Sequence, residues 1–244
     1  MHSDENLTEE EKVIVARAID FARTNKKKIA KEFTDINVFP PDTKPVSVFM
    51  AGSPGAGKTE SSKNLIKQFS ADKSHTVLRI DPDDLRNRFS EYTGNNSYLF
   101  IGAVSIISDA IHDRALSNDQ SFIFDGTFSN IDRARQNIKR SLGHNRFVQI
   151  VYVYQNPQLA WRFVKAREAK DGRNIPKAAF IEHYFGARTC VDAIKGEFKD
   201  LVRVDVIVKD LDGTDFGYYA NVDKIDNHIP EQYTKDDINN LLVP

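Results

Sequence analysis

Apolar residues recur along the chain in short uninterrupted runs, and longer amphipathic segments lie between them. Five runs rich in β-branched or aromatic residues predict strands, at 46–51, 76–80, 121–124, 147–154 and 201–208. Four of the intervening segments are long enough for crossover helices, at 101–116, 131–142, 157–170 and 176–194. Strands that alternate with such helices predict an α/β fold, in which helices flank a mainly parallel five-stranded sheet.

The residues before the first strand form a segment of a different kind. Thr8 and Glu11 have the spacing of a capping box, which predicts the start of a helix. The expected apolar face of this helix comprises Ile14, Ala18, Phe21 and Ala22. A proline-rich stretch over 40–45 then separates the helix from the first strand. We therefore predict an N-terminal helical appendage over 1–45 and a core over 46–244.

Composition narrows the expected partners and compartment. The chain has 244 residues and a formal net charge of −1, from 34 Lys and Arg against 35 Asp and Glu. This balance gives no electrostatic reason to expect nucleic-acid binding, and no apolar run is long enough to span a membrane. The polar N-terminus does not resemble a secretory signal, and the single cysteine, Cys190, suits a reducing compartment. We expect a cytoplasmic protein that binds neither nucleic acid nor membrane.

The most informative motif directly follows the first predicted strand and precedes a predicted helix. It is the octet Gly52-Ser53-Pro54-Gly55-Ala56-Gly57-Lys58-Thr59. This is the pattern of a phosphate loop, in which backbone N–H groups surround phosphate oxygens, the lysine reaches the outer phosphates and the threonine hydroxyl binds Mg²⁺. A plain glycine-rich turn is the alternative, and the flanking strand and helix argue against it. The octet predicts a nucleotide site.

A group of carboxylates follows the second predicted strand, in the sequence Asp81-Pro82-Asp83-Asp84-Leu85-Arg86. Ligands in open parallel sheets gather beyond the carboxyl ends of strands, which is where this group is expected. Asp81 before Pro82 is typical of a helix N-cap. Asp83 or Asp84 can then face a substrate as a candidate base, so capping and catalysis are compatible here.

The third predicted strand ends in an acid, in the sequence Phe122-Ile123-Phe124-Asp125-Gly126-Thr127. An apolar strand that ends in aspartate resembles a Walker B motif. Asp125 is therefore a candidate to bind Mg²⁺ through water or to orient the Thr59 hydroxyl, and Gly126 would let the backbone pass close to a ligand. A strand end that only caps the next helix is the alternative.

An arginine-rich segment over 162–176 can supply the cations that phosphoryl transfer needs above the phosphates. It contains Arg162, Arg167 and Arg173, and Asp171-Gly172 interrupts its helix. These features predict a lid that carries Arg167 and Arg173 over the nucleotide. An ordinary basic helix followed by a turn is the alternative.

Together these motifs resemble the zeta toxin family, P-loop kinases of bacterial toxin–antitoxin systems, over roughly 46–191. The resemblance implies a three-layer P-loop kinase fold, ATP or GTP as donor with Mg²⁺, and an antitoxin protein as a partner. It implies Asp83 as the base that activates the acceptor hydroxyl, with Asp109 and Thr127 as further substrate-binding residues. Lys58, Arg167 and Arg173 are then the catalytic cations, and Thr59 and Asp125 the metal site.

The best-known acceptor in the family is UDP-N-acetylglucosamine, phosphorylated on the 3′-hydroxyl of its amino sugar. Members with this activity carry a basic residue after Gly-Thr, where this chain has Phe128, and glutamate at the positions of Asp109 and Asp125. A carboxylate shortened by one methylene moves its contact by about 1.5 Å, enough to change which acceptor is aligned. The resemblance thus implies a kinase of this or a related nucleotide sugar. Other acceptors stay open as alternatives, namely NAD, a nucleoside, another small acceptor or a polynucleotide end. A regulatory NTPase also stays open.

Overall fold

The structure is a computed structural model that describes residues 7–72, 76–210, 212 and 215–242. Its strands are β1 (Val46–Ala51), β2 (Leu78–Ile80), β3 (Phe122–Asp125), β4 (Phe147–Tyr154), β5 (Arg203–Lys209) and β6 (Asp215–Tyr219). Its helices are α1 (Glu9–Phe33), α2 (Lys58–Asp72), α3 (Pro82–Leu85), α4 (Ile101–Ser117), α5 (Ile131–Gly143), α6 (Pro157–Asp171), α7 (Lys177–Phe198) and α8 (Lys235–Leu241). Within these ranges no helix combines the length and apolar character needed to cross a membrane.

The strands form one sheet in the order β2-β3-β1-β4-β5-β6. β1 to β5 pair in parallel, which confirms the predicted mainly parallel sheet. β6 pairs antiparallel with β5, so the predicted strand count of five is corrected to six. The sixth strand contains Gly217, which weakens a strand signal, followed by Tyr218 and Tyr219, which are 57% and 40% exposed. An edge strand with exposed side chains lacks the buried run that marks the other five.

β1 shows why helices cover both faces of the sheet. Phe49 and Ala51 belong to the larger apolar core, whereas Val48 and Met50 belong to a smaller one, and each of the four is at most 1% exposed. Alternate residues of a strand point to opposite faces, so both faces of β1 need cover. On the smaller core α2 places three partly buried side chains, Leu65, Ile66 and Phe69. α4, α5 and α7 contribute to the larger core, and the result is the predicted three-layer arrangement.

α1 begins at the predicted capping box. Thr8 Oγ1 accepts a hydrogen bond from the Glu11 N–H at 3.2 Å, and the Thr8 N–H donates to Glu11 Oε2 at 2.8 Å. The helix packs along α4, and its Ala18 and Ala22 are buried in the larger core. α1 therefore braces the helical layer, while the division into an appendage over 1–45 and a core over 46–244 stays a prediction.

The sheet order brings three strand ends together. β2, β3 and β1 are parallel neighbours, so their carboxyl ends lie side by side. β1 leads into the loop over 52–59, β2 leads into Asp81, and β3 ends at Asp125. β1 lies between β3 and β4, where the strand order changes direction, and such a point forms a ligand crevice in open α/β sheets. The topology thus assembles the glycine-rich loop and both acidic segments at one edge.

Candidate functional site

The phosphate loop contains three glycines with left-handed backbone angles. The φ angles of Gly52, Gly55 and Gly57 are 136°, 76° and 85°. A Cβ at Gly52 would lie 2.4 Å from the carbonyl oxygen of Val153, and one at Gly55 would lie 2.1 Å from that of Ala160. Only glycine fits in either place, because β4 and α6 press against the loop and hold its curvature.

Lys58 begins α2 and folds its ammonium back over the loop. Its Nζ donates to the carbonyl oxygens of Gly52 at 3.0 Å and Ser53 at 2.7 Å. Burial lowers the pKa of Lys58 to about 8. The charged side chains that also act on this pKa are Asp125 and Asp83, which raise it, and Arg173 and Arg167, which lower it. Four of the predicted site residues therefore lie within electrostatic range of this ammonium.

The loop fits a phosphate group. Among the described residues the Lys58 ammonium donates to carbonyl oxygens, and a bound phosphate would give it a full opposite charge as a hydrogen-bond partner. Thr59 follows at the second position of α2 and is half-buried. Its hydroxyl and the carboxylate of Asp125 are the oxygen ligands that Mg²⁺ prefers. Thr59 and Asp125 would hold the ion together with phosphate oxygens and water.

Asp125 is buried at the end of β3, with 6% exposure, and accepts three hydrogen bonds on one oxygen. Ser62 Oγ donates to its Oδ2 at 3.0 Å, and Arg79 donates to the same atom from Nε at 3.1 Å and Nη2 at 2.8 Å. Ser62 lies one turn beyond Thr59 on α2, so the helix of the phosphate loop is tied directly to the acidic strand end. Sequence reasoning missed Ser62, since only its spacing from Thr59 marks it.

Arg79, in the middle of β2, is a second residue that sequence reasoning missed. Its guanidinium contacts Asp81 and Asp125 and reaches Asp84 at 3.1 Å, and its side chain is 16% exposed. Its chain neighbours Leu78 and Ile80 are buried. A cation enclosed within a strand needs a charged partner. An arginine between two apolar residues of a predicted strand was therefore the sequence feature that could have identified Arg79. Its partners come from two strand ends, and only the fold brings them together.

Asp81 caps α3, as its position before Pro82 indicates. Its Oδ1 accepts a hydrogen bond from the Asp83 N–H at 2.8 Å. Burial raises the pKa of Asp81 to about 7, and the negative charges of Asp83 and Asp125 act in the same direction, against Arg79. Several carboxylates thus compete for one enclosed guanidinium.

Asp83 is held between two arginines. Arg86, from the following turn, contacts Oδ1, and Arg173, from the segment after α6, contacts Oδ2. Burial alone would raise the pKa of Asp83, but the charges of Arg173 and Arg86 outweigh burial and lower it. The carboxylate is therefore kept ionised and fixed in orientation.

The lid segment turns where the sequence interrupts its helix. α6 ends with Gly172 in the left-handed region, at a φ of 70°, and the Gly172 N–H donates to the Glu168 carbonyl oxygen at 2.9 Å. The turn returns Arg173 to Asp83, whereas Arg167 and Arg162 stay exposed on α6. Arg173 thus joins the site by direct contact, and Arg167 only through its charge.

The two remaining predicted substrate groups lie on different elements. The Thr127 carbonyl oxygen, just beyond β3, accepts a hydrogen bond from the Gly52 N–H at 3.2 Å. Asp109, on α4, pairs with Arg133 of α5 at 3.1 Å. Thr127 is therefore tied to the phosphate loop, while Asp109 is one half of an ion pair between two helices.

A family model for zeta toxin matches residues 29–223, a range that includes every site residue described above. The chain belongs to the zeta toxin family. Membership confirms the resemblance seen in the motifs and identifies the chain as a nucleotide-dependent kinase, a phosphotransferase that acts on a hydroxyl group. It also indicates the use of a nucleotide and a metal ion by this family member.

Solved structures share the fold at low sequence identity. A chain of the PezAT chromosomal toxin–antitoxin system of Streptococcus pneumoniae is 13% identical, with a TM-score of 0.60 over 97% of this chain and 89% of that one. The AvrRxo1-ORF1:-ORF2 complex with ATP gives 15% identity and a TM-score of 0.58 over 88% and 68% of the two chains. A chain of the Pnkp1/Rnl/Hen1 RNA repair complex is 15% identical, with a TM-score of 0.50 over 75% of this chain and 50% of that one. No curated protein sequence matches significantly.

Replacement of Arg79 by methionine is expected to lower the free energy of unfolding by about 3–5 kcal/mol, because it leaves Asp81 and Asp125 enclosed without their shared cation. Urea unfolding at pH 8 measures this loss. The pKa of Asp81 is already raised to about 7, so the variant should recover stability as pH falls from 8 to 6 and Asp81 takes up a proton.

A matched control is Arg88→Met. Arg88 pairs with Glu32, and both side chains are more than 40% exposed, so this substitution should cost at most about 1 kcal/mol. Equal losses for the two variants would show that the enclosed ion pairs of Arg79 stabilise the fold no more than an exposed pair does.

Proposed function

We propose that the chain transfers the γ-phosphoryl group of ATP, with Mg²⁺, to a hydroxyl of UDP-N-acetylglucosamine or a related nucleotide sugar. The observation that carries the proposal is the convergence of Lys58, Asp125, Asp83 and Arg173 at one edge of the sheet, where three strand ends meet. A half-buried cation in the phosphate loop, an acid beside that loop and an ionised carboxylate under an arginine are the groups that phosphoryl transfer requires.

The donor half of the site consists of Gly52–Thr59 and Asp125. Backbone N–H groups of the loop would surround the phosphates, and Lys58 would exchange its two carbonyl contacts for phosphate oxygens. Thr59 and Asp125 would hold Mg²⁺, which when bound offsets the charge that develops on the phosphates. GTP is the alternative donor, and comparison of the two nucleotides in the same assay decides between them.

Asp83 is the base in this proposal. It takes the proton of the acceptor hydroxyl, whose oxygen bonds to the γ-phosphorus while the bond to the bridging oxygen breaks and ADP leaves. Arg173, which now contacts Asp83, is also the cation nearest in sequence to the lid turn. Donor phosphates would attract Arg173, and its departure would raise the proton affinity of Asp83 while Arg86 still orients the carboxylate. Arg167 would add charge from α6.

The acceptor side suits a molecule that carries both hydroxyls and phosphates. Asp109 and Arg133 form an ion pair whose side chains are 40% and 36% exposed, so an acid and a cation are presented together. A nucleotide sugar offers hydroxyls to a carboxylate and a diphosphate to a guanidinium. Arg133 would then supply the positive charge that is missing where Phe128 follows Gly126-Thr127.

The direct test is incubation with ATP, Mg²⁺ and UDP-N-acetylglucosamine, followed by mass spectrometry. We expect the nucleotide sugar to gain one phosphate. Parallel reactions with NAD, nucleosides and an oligonucleotide with a 5′-hydroxyl cover the other acceptors. Transfer to one of these but not to the nucleotide sugar would contradict the substrate and keep the kinase. ATP hydrolysis that no acceptor stimulates would favour a regulatory NTPase.

An antitoxin protein is the proposed partner, and toxicity is the proposed outcome of the reaction. Membership of the zeta toxin family and the similarity to a chain of a toxin–antitoxin system support both. Phosphorylation of a cell-wall precursor would remove it from synthesis and arrest growth. Normal growth of bacteria that express the active chain without a partner would contradict the toxic role.

A further inference from the structure

Three side chains beside the phosphate loop form a hydrogen-bonded series that the proposed reaction does not use. Thr127 Oγ1 lies 3.1 Å from Ser129 Oγ, and Ser129 Oγ lies 2.9 Å from Nδ1 of His183. Thr127 and Ser129 follow β3, whereas His183 is half-buried on α7. An imidazole from the helical layer is thus connected to a predicted substrate-binding hydroxyl.

The backbone is bent to bring these groups together. Phe128, between the two hydroxyl residues, has a φ of 56°, in the left-handed region that bulky residues rarely adopt. Its ring packs against Phe49 with 6.0 Å between centroids, which stabilises the turn. On α7, a Cβ at Gly186 would lie 3.4 Å from both Cβ and the carbonyl oxygen of Ser129. Glycine there allows Ser129 to sit close against the helix, one turn from His183.

The series also lies beside the donor site. The Thr127 carbonyl oxygen accepts a hydrogen bond from the first residue of the phosphate loop, Gly52, at 3.2 Å. Burial lowers the pKa of His183, and the positive charges of Lys58 and Arg173 lower it further, against the opposing charge of Glu182. The imidazole is therefore neutral at pH 7, with a lone pair on one ring nitrogen.

The proton count leaves two directions for the series, because each hydroxyl has one proton to donate. If Nδ1 of His183 accepts from Ser129, then Ser129 accepts from Thr127, and Thr127 Oγ1 offers a ligand only lone pairs. If Nδ1 donates, the series reverses and Thr127 offers its proton. The first direction binds a ligand hydroxyl, and the second binds a phosphate oxygen.

We propose that His183 is a positioning residue for the acceptor: through Ser129 it turns the Thr127 hydroxyl so that Oγ1 accepts a hydrogen bond from an acceptor alcohol. In the proposed reaction Lys58, Arg173 and the loop N–H groups bind phosphate oxygens, so an oxygen that only accepts is the complementary group for an alcohol. The inference rests on the proposed kinase function and assigns Thr127 an alcohol as its ligand.

The enzymatic test measures KM for UDP-N-acetylglucosamine in His183→Leu. This variant removes the acceptor of the Ser129 proton, and KM for the sugar should rise about tenfold, as expected for the loss of one neutral hydrogen bond, while KM for ATP and kcat change little. His183→Asn places an amide near the position of Nδ1 and should restore KM to within about twofold.

Thr127→Val should raise KM for the sugar as much as His183→Leu does, and the double variant should raise it no further. An unchanged KM in His183→Leu, with transfer normal, would overturn the inference and leave the kinase function standing.

Nitrogen-15 NMR of the histidine rings tests the same arrangement without an acceptor. The chain has six histidines, and the signals that disappear in His183→Asn are those of His183. We expect the tautomer with the proton on Nε2 at pH 7, and a shift of the Nδ1 resonance in Ser129→Ala. A His183 ring that is protonated on Nδ1 would overturn the proposal. An Nδ1 resonance that does not shift in Ser129→Ala would also overturn it. If the wild-type chain phosphorylates no nucleotide sugar, the proposed substrate fails, and the tautomer still decides the role of His183.

Discussion

Replacement of Asp83 by asparagine is expected to lower kcat for phosphoryl transfer by a factor of about 10²–10⁴, the usual contribution of a general base. The amide has the size of the carboxylate but cannot accept the proton of the acceptor hydroxyl. Asp83 contacts Arg86 and Arg173 rather than the phosphate loop, so the Kd for ATP should change much less than kcat. Rapid-quench measurement of a single turnover separates transfer from product release.

Asp84→Asn is the matched control for this prediction. Asp84 follows Asp83 directly, its side chain is 63% exposed, and its ion-pair partner is Arg79 at 3.1 Å. It should keep transfer within about threefold of the wild-type rate, the scale of a small surface perturbation. Full activity in Asp83→Asn, or equal losses in both variants, would remove Asp83 from the role of base. Thermal unfolding of each variant shows whether a loss reflects folding instead.

Replacement of Lys58 by methionine is expected to lower kcat by about 10²–10³ and to weaken ATP binding, because it removes a preorganised donor from the transferred phosphate. Methionine has a similar length, so the fold of the loop should survive. The ammonium that is lost lies on the carbonyl oxygens of Gly52 and Ser53. Lys63→Met, on the exposed face of the same helix, is the control and should bind ATP normally. Equal effects at the two lysines would contradict the assignment.

The wild-type chain should also show a pH signature of Lys58. Burial lowers the pKa of this ammonium to about 8, and bound phosphate favours its charged form. ATP affinity should therefore fall as pH rises through 8, when free protein loses the proton that binding requires. Calorimetry between pH 7 and 9.5 measures this, and Lys58→Met should lack that fall. A wild-type affinity that stays constant over this range would contradict this coupling between the Lys58 proton and ATP binding.

The parallel sheet was predictable because its signals are local. Short β-branched runs alternate with amphipathic segments, and this periodicity is legible wherever strands are buried on both faces. The strand β6 was not predicted, because Gly217 and two exposed tyrosines interrupt the β-branched pattern. The phosphate loop was equally legible, since its glycines meet a backbone requirement within eight consecutive residues: at Gly52 and Gly55 a side chain has no room.

The partners of the acidic groups were not predictable in the same way. Asp81 was expected as a cap from Pro82 alone, and the cap is present. Its enclosure with Asp125 around Arg79 depends on β2 and β3 being neighbours in the sheet, although α3 and α4 separate them in sequence. No pattern within one strand specifies its neighbour.

The sequence by itself determined the alternation of strands and helices, the capped start of α1 and the loop over 52–59, because period, turn chemistry and capping act between residues a few positions apart. Only the tertiary structure decided that Arg79 neutralises Asp125, that Arg173 returns to Asp83 and that His183 reaches Thr127 through Ser129. Ion pairs and hydrogen bonds form only between groups that lie a few ångströms apart. Strand order and helix packing set those distances, whereas sequence separation does not.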